Sequence, residues 1–217
     1  MSNMQIRFYS DWLADPAKEI SQDEARRMDM YSRAFFTGAG ELAWIELYRK
    51  GELSDVEYHC SDIRSIRAGH LSRYPNIKFT TFHKAQGSNG FRWALTVRYA
   101  ANGVYDAHMV HLYDSNDLEI MNLGYTVRGG VLIAITKFLH QTPDEIALMF
   151  EYDKDGVPVG VYDPEEGESV PLNEILHALP DPEFYADGFT LPRELRGSST
   201  SILSAADISR DEWPDTQ

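Results

Sequence analysis

Apolar and polar residues alternate regularly between residues 91 and 162, and turn residues separate the alternating segments. Such a period of two, carried by aromatic and β-branched side chains, is typical of half-buried β-strands. In the first segment the alternation predicts one apolar face, made of Phe91, Trp93, Leu95, Val97 and Tyr99. We therefore expect residues 91–162 to form one antiparallel sheet.

Turn signals divide this stretch into hairpins. Asn102 and Gly103 tolerate the positive φ angles that a tight hairpin turn requires, so residues 104–113 are expected to return as the second strand. A second turn at residues 114–117 leads into a strand over residues 118–127.

The apolar segment 131–139 has no polar face, so periodicity alone leaves it as a central strand or a buried helix. Its β-branched residues favour the strand. Residues 146–152 and 157–162 complete the predicted meander. Pro158 cannot donate a ladder hydrogen bond, which predicts that the last strand lies at an edge of the sheet.

The N-terminal part predicts a helix. Ser21 and Glu24 have the spacing of a capping box, in which each side chain bonds the backbone N–H of the other residue. Apolar residues at near-helical spacing follow, and they extend the predicted helix to about Phe36.

Further strands are predicted between this helix and the meander. Residues 42–48 and 53–59 read as a hairpin, and residues 77–83 as another strand. The segment 61–72 fits either a short helix or an irregular crossover.

The C-terminal part predicts one more helix, because Leu172, Ile175, Leu176 and Leu179 share a helical face before Pro180. The predicted fold is therefore α+β: a meander of about 7–9 strands on which an N-terminal and a C-terminal helix pack. We expect one domain over residues 1–195 and an acidic, weakly ordered tail over residues 196–217.

Composition narrows the class of protein. The chain has 217 residues, of which 43% are hydrophobic, and this is enough for a buried core. No apolar run reaches the about 18 residues of a membrane span, and the N-terminus lacks the plan of a secretory signal. Cys60 is the single cysteine, so no internal disulfide forms. These features predict a cytoplasmic location.

The negative charge is concentrated at one end of the chain. Residues 1–140 contain 16 acidic and 16 basic residues, whereas residues 141–217 contain 18 acidic and 4 basic residues, so the whole net charge of -14 lies in the last third. Such a field repels nucleic acid and anionic membranes and attracts basic proteins. The alternative is that acidic loops only keep the protein soluble.

Histidine and cysteine motifs give no catalytic signature. His108 and His111 are three residues apart, and on a strand this odd spacing places them on opposite faces, so they cannot share a metal ion. Cys60 has adjacent polar residues, but neighbours in sequence do not converge on one substrate. A buried or inactive Cys60 is the better interpretation.

Acidic and glycine-rich motifs are equally unspecific. Asp144, Glu145 and Glu151 could supply a pair of carboxylates for acid–base catalysis, but their separation is not fixed by the sequence. The segment 153–157 resembles the start of a calcium loop without the later glutamate, so a hairpin turn is the simpler interpretation. Gly124, Gly129 and Gly130 lack the lysine of a phosphate-binding loop. No metal or cofactor is expected.

Basic residues form a loose cluster with aromatic neighbours. The cluster consists of Arg64, Arg67, Arg73, Lys78 and Lys84. Contact with nucleic acid is conceivable at such a cluster, but the acidic last third argues against it.

In general plan the chain resembles the cytoplasmic immunity proteins that bacteria make against contact-delivered toxins, which are small, acidic, single-domain α+β proteins. The segments 45–53 and 152–159 are similar to hairpins of such proteins. The resemblance carries no diagnostic residues. It implies a binding protein, not an enzyme, that neutralises a basic toxin domain.

The expected contact residues are carboxylates around an aromatic anchor near the end of the meander. They are Glu151, Asp153, Asp155, Tyr162, Asp163, Glu165, Glu166 and Glu168. The alternative hypothesis is an enzyme or small-ligand-binding protein whose site lies on the sheet and includes His83, His108 or His111 near Trp93 and Tyr105. A histidine with a shifted pKa beside a carboxylate would favour this alternative.

Overall fold

The computed structural model describes residues 4–12, 14–59, 63–86, 89–126, 132–143, 145–165 and 167–196. Within them the protein is mostly β, with one sheet of 12 strands and a few short helices. The strands are β1 Gln5–Tyr9, β2 Glu19–Ile20, β3 Met30–Phe36, β4 Leu42–Arg49, β5 Glu52–His59, β6 Lys78–Gln86, β7 Arg92–Tyr99, β8 Tyr105–Tyr113, β9 Glu119–Thr126, β10 Leu132–Thr142, β11 Glu145–Tyr152 and β12 Pro158–Tyr162.

The helices are short. They are α1 Gln22–Ala25, α2 Ile63–Arg73, α3 Leu172–Ile175 and α4 Pro182–Ala186, with 3-10 turns at Pro16–Lys18, Leu176–Ala178 and Arg193–Leu195. The expected α+β class therefore becomes a mostly-β fold. The predicted 7–9 strands were too few because three strands precede Leu42.

The strands follow one another in the sheet from β12 down to β3, and then come β1 and β2. Contacts within the chain form two compact units, which we call unit 1 (residues 1–83 and 96–107) and unit 2 (residues 84–95 and 108–217).

The predicted N-terminal helix is wrong beyond its first turn. The capping box forms as expected, because the Ser21 hydroxyl accepts from the Glu24 N–H and the Glu24 carboxylate accepts from the Ser21 N–H. The helix ends at Ala25, and Met30–Phe36 is a strand that pairs with β1 and β4. β4 pairs along the whole segment and β1 along residues 32–36. Ser32 and Ala34, two residues apart as on one face of a strand, are fully buried.

The undecided segment 61–72 contains a helix. α2 connects β5 to β6, and these two strands run parallel, with Val56 opposite Phe79. A parallel pair requires such a crossover because a tight turn reverses the chain direction.

The strand interpretation of segment 131–139 is confirmed for the described residues, as β10 lies between β9 and β11. The edge position of the strand with Pro158 is also confirmed, since β12 ends the sheet. The core of unit 2 is built from inward-facing residues of these strands: Val110, Leu112, Met121, Leu123, Ile135, Phe150 and Val161.

The predicted C-terminal helix is reduced to one turn of α-helix and one 3-10 turn, but its apolar face docks as expected. Leu179 is buried in the core of unit 2, and Leu172, Ile175 and Leu176 pack against it. The predicted tail, beyond Arg196, lies outside the described residues.

Candidate functional site

The predicted contact residues lie along the hairpin β11–β12 and the turn that follows it. Glu151 is exposed on β11, opposite Gly160 of β12. We call residues 145–168 the acidic hairpin. Glu166 lies outside the described residues.

Some charged side chains of the turn between β11 and β12 form bonds within the turn itself. One carboxylate oxygen of Asp153 accepts from the backbone N–H groups of Asp155 and Val157, both at 2.9 Å. The Lys154 ammonium bonds the Asp155 carboxylate at 2.6 Å. Asp153 is therefore a turn-forming residue, and Asp155 is partly neutralised by an exposed neighbour.

The turn after β12 is built in the same way. The Asp163 carboxylate accepts from the Glu165 N–H at 2.8 Å, and Gly167 closes the turn with a φ of 68°. Glu165 and Glu168 are exposed. Tyr162 is half-buried, and its ring lies over Gly160, where a Cβ atom would clash with the phenol oxygen.

The two acidic turns are not one cluster, because they lie at opposite ends of β12. At about 3.3 Å per residue, the seven steps from residue 156 to residue 163 separate the turns by about 23 Å. Glu151 lies between them. The charge thus forms a row along the hairpin rather than a compact patch.

Three exposed apolar side chains lie on or beside the hairpin, and the sequence reasoning missed them. Val157 and Val159 have 57% and 65% of their surface exposed, and Phe189 has 40% exposed. Phe189 packs against the hairpin turn, where its ring occupies the space that a Cβ atom on Gly156 would need. The Gly188 N–H also bonds the Gly156 carbonyl at 2.9 Å. The signal in the sequence was two valines around Pro158 in an edge strand.

Other acidic residues of unit 2 are neutralised by the chain's own arginine. The Arg196 guanidinium bonds both carboxylate oxygens of Asp181, at 2.7 and 2.8 Å, and also bonds Glu183. Burial raises the pKa of the Asp181 carboxyl, but the bond from Arg196 and backbone N–H bonds outweigh burial and lower it. These carboxylates hold the C-terminal segment in place and are not free to bind a partner.

Lys137 is a buried cation that the sequence reasoning also missed. It is fully buried on β10, and its ammonium donates to the carbonyls of Phe184, Asp187 and Thr190. Burial lowers the pKa of Lys137 to about 7. The three carbonyls use all three donors of the ammonium, so this lysine anchors the segment after α4 and has no donor left for a substrate.

The two histidines of β8 face opposite sides, as predicted. His108 is buried and stacks on Tyr125 at 4.4 Å between ring centroids, and burial lowers its pKa to about 4. His111 is half-buried, and its Nδ1 lies 2.8 Å from the Glu119 carboxylate. The two side chains therefore project from opposite faces of β8 and cannot act together on one ligand.

The remaining candidates for chemistry do not converge. Glu145 and Glu151 lie at the two ends of β11, about 20 Å apart at the rise of a strand, which is too far for an acid–base pair. Cys60 and Asp144 lie outside the described residues. His83 is half-buried near the end of β6. No group of three His, Cys, Asp or Glu residues among the described ones could hold a metal ion.

The basic cluster is only partly assembled. The Lys78 ammonium pairs with Asp55 at 3.0 Å, whereas the guanidinium of Arg73 lies 5.0 Å from the centre of the Trp44 ring. The side chains of Arg64 and Lys84 lie outside the described part of the structure.

Unit 1 contains a buried polar network that the sequence reasoning did not identify. The Glu46 carboxylate is fully buried and accepts bonds from the Arg33 guanidinium, the Tyr48 hydroxyl at 2.9 Å and the Tyr74 hydroxyl. Burial, together with the bond to Glu46, raises the pKa of Tyr48 to about 12 and also raises that of Tyr74. Both tyrosines therefore stay protonated at neutral pH and keep donating to Glu46, which is typical of a structural network.

Among the described residues, no helix is long and apolar enough to cross a membrane. Comparison with known proteins found no matching family model, no matching curated protein and no matching solved structure.

Proposed function

We propose that this protein is a cytoplasmic binding protein that neutralises a basic protein partner, in the manner of a toxin immunity protein, through the acidic hairpin. The observation that carries the proposal is that Val157, Val159 and Phe189 are exposed on or beside a hairpin that also carries exposed carboxylates. Apolar side chains that remain exposed in a fixed position are suited to serve as anchors for a partner. Charged residues near them favour a partner of opposite charge.

The balance of charge supports a basic partner. Unit 2 contains 21 acidic and 8 basic residues, whereas unit 1 contains 13 and 12. Three basic residues near the hairpin already have acceptors within the chain: Lys137, Lys154 and Arg196. Glu151, Glu165 and Glu168 are exposed, and they are the carboxylates we assign to the partner.

The rigidity of the hairpin also supports a docking role. Asp153 and Asp163 fix the two turns through their side chains, and Gly188 ties the first turn to the segment after α4. A surface that is ordered before binding loses little conformational entropy when a partner docks.

A pull-down from the native host with the full chain, read by mass spectrometry, tests the proposal when it is combined with two variants. Val159→Arg places a cation and a long side chain at an exposed anchor position, so we expect it to lose the partner. The matched control is Val104→Arg, at an exposed valine of unit 1. A captured partner that is acidic, or one that both variants retain equally, would overturn the proposal.

A further inference from the structure

We propose that unit 1 carries a second docking surface, which binds a carboxylate-rich segment of a protein. This surface is the face of β3 and β4 on which three cross-strand pairs follow one another: Tyr31 with Tyr48, Arg33 with Glu46, and Phe35 with Trp44. We call it the ladder face. The proposal concerns a different surface from the acidic hairpin and does not depend on the function proposed for that hairpin.

The ladder face is a stack of rings and guanidinium groups. The rings of Tyr31 and Tyr48 stack at 4.8 Å between centroids, and those of Phe35 and Trp44 stack at 4.3 Å. The Arg33 guanidinium lies 5.2 Å from the Phe35 ring and 5.4 Å from the Tyr48 ring. Tyr31, Tyr48, Trp44 and Arg33 are only half-buried, so part of each side chain faces solvent.

Arg73, at the end of α2, completes the face. Its guanidinium lies over both the Trp44 and the Tyr74 rings, at 5.0 and 5.1 Å. Arg73 is exposed, and among the described residues it has no ion pair. Because aromatic rings hold the guanidinium in position, its hydrogen-bond donors are pre-organised for an incoming acceptor.

The charge of this face is opposite to that of the whole protein. The residues of β1, β3, β4 and β5 that share the face include one carboxylate, Glu46, and it is buried against Arg33. α2, which packs on the same side through the bond between Tyr58 and His70, contains no acidic residue. An acceptor on the partner therefore meets the Arg73 guanidinium without a competing exposed carboxylate on this face.

The arrangement of the rings favours a protein over a nucleic acid. Single-stranded nucleic acids stack their bases on free ring faces. Here Trp44 is covered by Phe35 on one side and contacts Arg73, and Tyr48 is stacked on Tyr31 and contacts Arg33. The rings thus offer edges rather than faces to a ligand. Half-buried Tyr, Trp and Arg are also the residues that dominate protein–protein contacts.

The test measures binding of a labelled peptide of alternating glutamate and leucine to the full-length protein at low salt, by fluorescence anisotropy. Arg73→Ala leaves the Glu46 network intact, so we expect this variant to bind about tenfold more weakly, the size expected for losing hydrogen bonds to a charged group. Arg49→Ala is the matched control, because Arg49 is exposed on β4 one residue beyond Tyr48 and therefore on the other face. Wild-type affinity in Arg49→Ala, together with the loss in Arg73→Ala, supports the proposal.

Three outcomes would overturn it. The first is no binding of the glutamate peptide, or equal binding by the wild type and Arg73→Ala. The second is binding of a short labelled oligothymidine through Arg73 in place of the peptide, which would assign the face to nucleic acid. The third is sedimentation that shows self-association lost in Arg73→Ala, which would assign the face to a second copy of the chain.

Discussion

The ammonium of Lys137 donates a 2.8 Å hydrogen bond to the backbone carbonyl of Thr190. This bond joins a central strand of the sheet to a segment 53 residues further along the chain, and two further carbonyls share the same ammonium. The segment contains Phe184, Tyr185 and Leu195, which complete the core of unit 2. One buried cation therefore fixes the apolar cover of the sheet.

Replacing Lys137 by methionine is expected to destabilise the protein by about 3 kcal/mol, because a side chain of similar length remains while buried carbonyls lose their donor. The measurement is the free energy of unfolding in urea. Thr136→Ala, at the neighbouring residue of β10, is the control and is expected to change little. A Lys137→Met variant as stable as the wild type would show that the carbonyls are satisfied without the ammonium.

The free energy of unfolding is expected to decrease as the pH is lowered from 6.5 to 4, because of His108. Burial lowers its pKa from 6.5 to about 4, so the unfolded chain binds the proton more tightly than the folded one. Below pH 6.5 the unfolded chain therefore binds a proton that the folded protein does not, and the free energy of unfolding decreases. Above pH 6.5 His108 is neutral in both states, so this loss of stability disappears. The shift corresponds to about 3 kcal/mol by pH 4.

Urea unfolding at several pH values measures this effect. His108→Phe keeps an aromatic ring against Tyr125 but has no group that titrates, so its stability should depend less on pH between 6.5 and 4. The same slope in both proteins would mean that His108 is not the group responsible.

Sequence reasoning predicted most of the hairpins over residues 91–162, because each depends on local signals such as Asn102-Gly103 and on a period of two. It failed at β3, where residues 25–35 fit both periods and the capping box at Ser21 favoured the helix. The segment becomes a strand because it pairs with β1 and β4. Pairing with β1 closes a loop of about 25 residues, and a local sequence pattern does not predict such a distant pairing.

The sites were harder to predict than the strands. Lys137 sits in an apolar run, and nothing near it in sequence identifies the carbonyls that satisfy it. Arg33 and Glu46 are 13 residues apart, and Tyr74, which bonds the same carboxylate, is 28 residues further on. The register of β3 with β4 brings Arg33 to Glu46, and the position of α2 brings Tyr74 to the same carboxylate.

Reversing Glu165, Glu166 and Glu168 to lysine is expected to slow association with a basic partner and to flatten its dependence on salt, because long-range attraction accelerates the encounter. Stopped-flow association with the captured partner at several salt concentrations measures both effects. Lysine at Asp29, Glu41 and Glu52, which are exposed in unit 1, gives a control with the same change of net charge. Equal slowing in both triple variants would show that the effect comes from the net charge of the protein and not from the acidic hairpin.

The Arg33–Glu46 pair provides a stability test that separates charge from packing. Glu46 is fully buried, whereas about a third of the Arg33 side chain is exposed. Removing the arginine leaves a buried carboxylate whose remaining partners are two hydroxyl groups, so Arg33→Ala should cost about 3 kcal/mol. Adding Glu46→Gln to that variant removes the uncompensated charge. The amide oxygen accepts from one tyrosine hydroxyl and the amide N–H donates to the other hydroxyl oxygen, so the double variant should regain most of the loss. Urea unfolding of the wild type, both single variants and the double variant closes the cycle. Additive losses would contradict this account, because they would show that Arg33 stabilises unit 1 by covering the rings of Phe35 and Tyr48 rather than by neutralising Glu46.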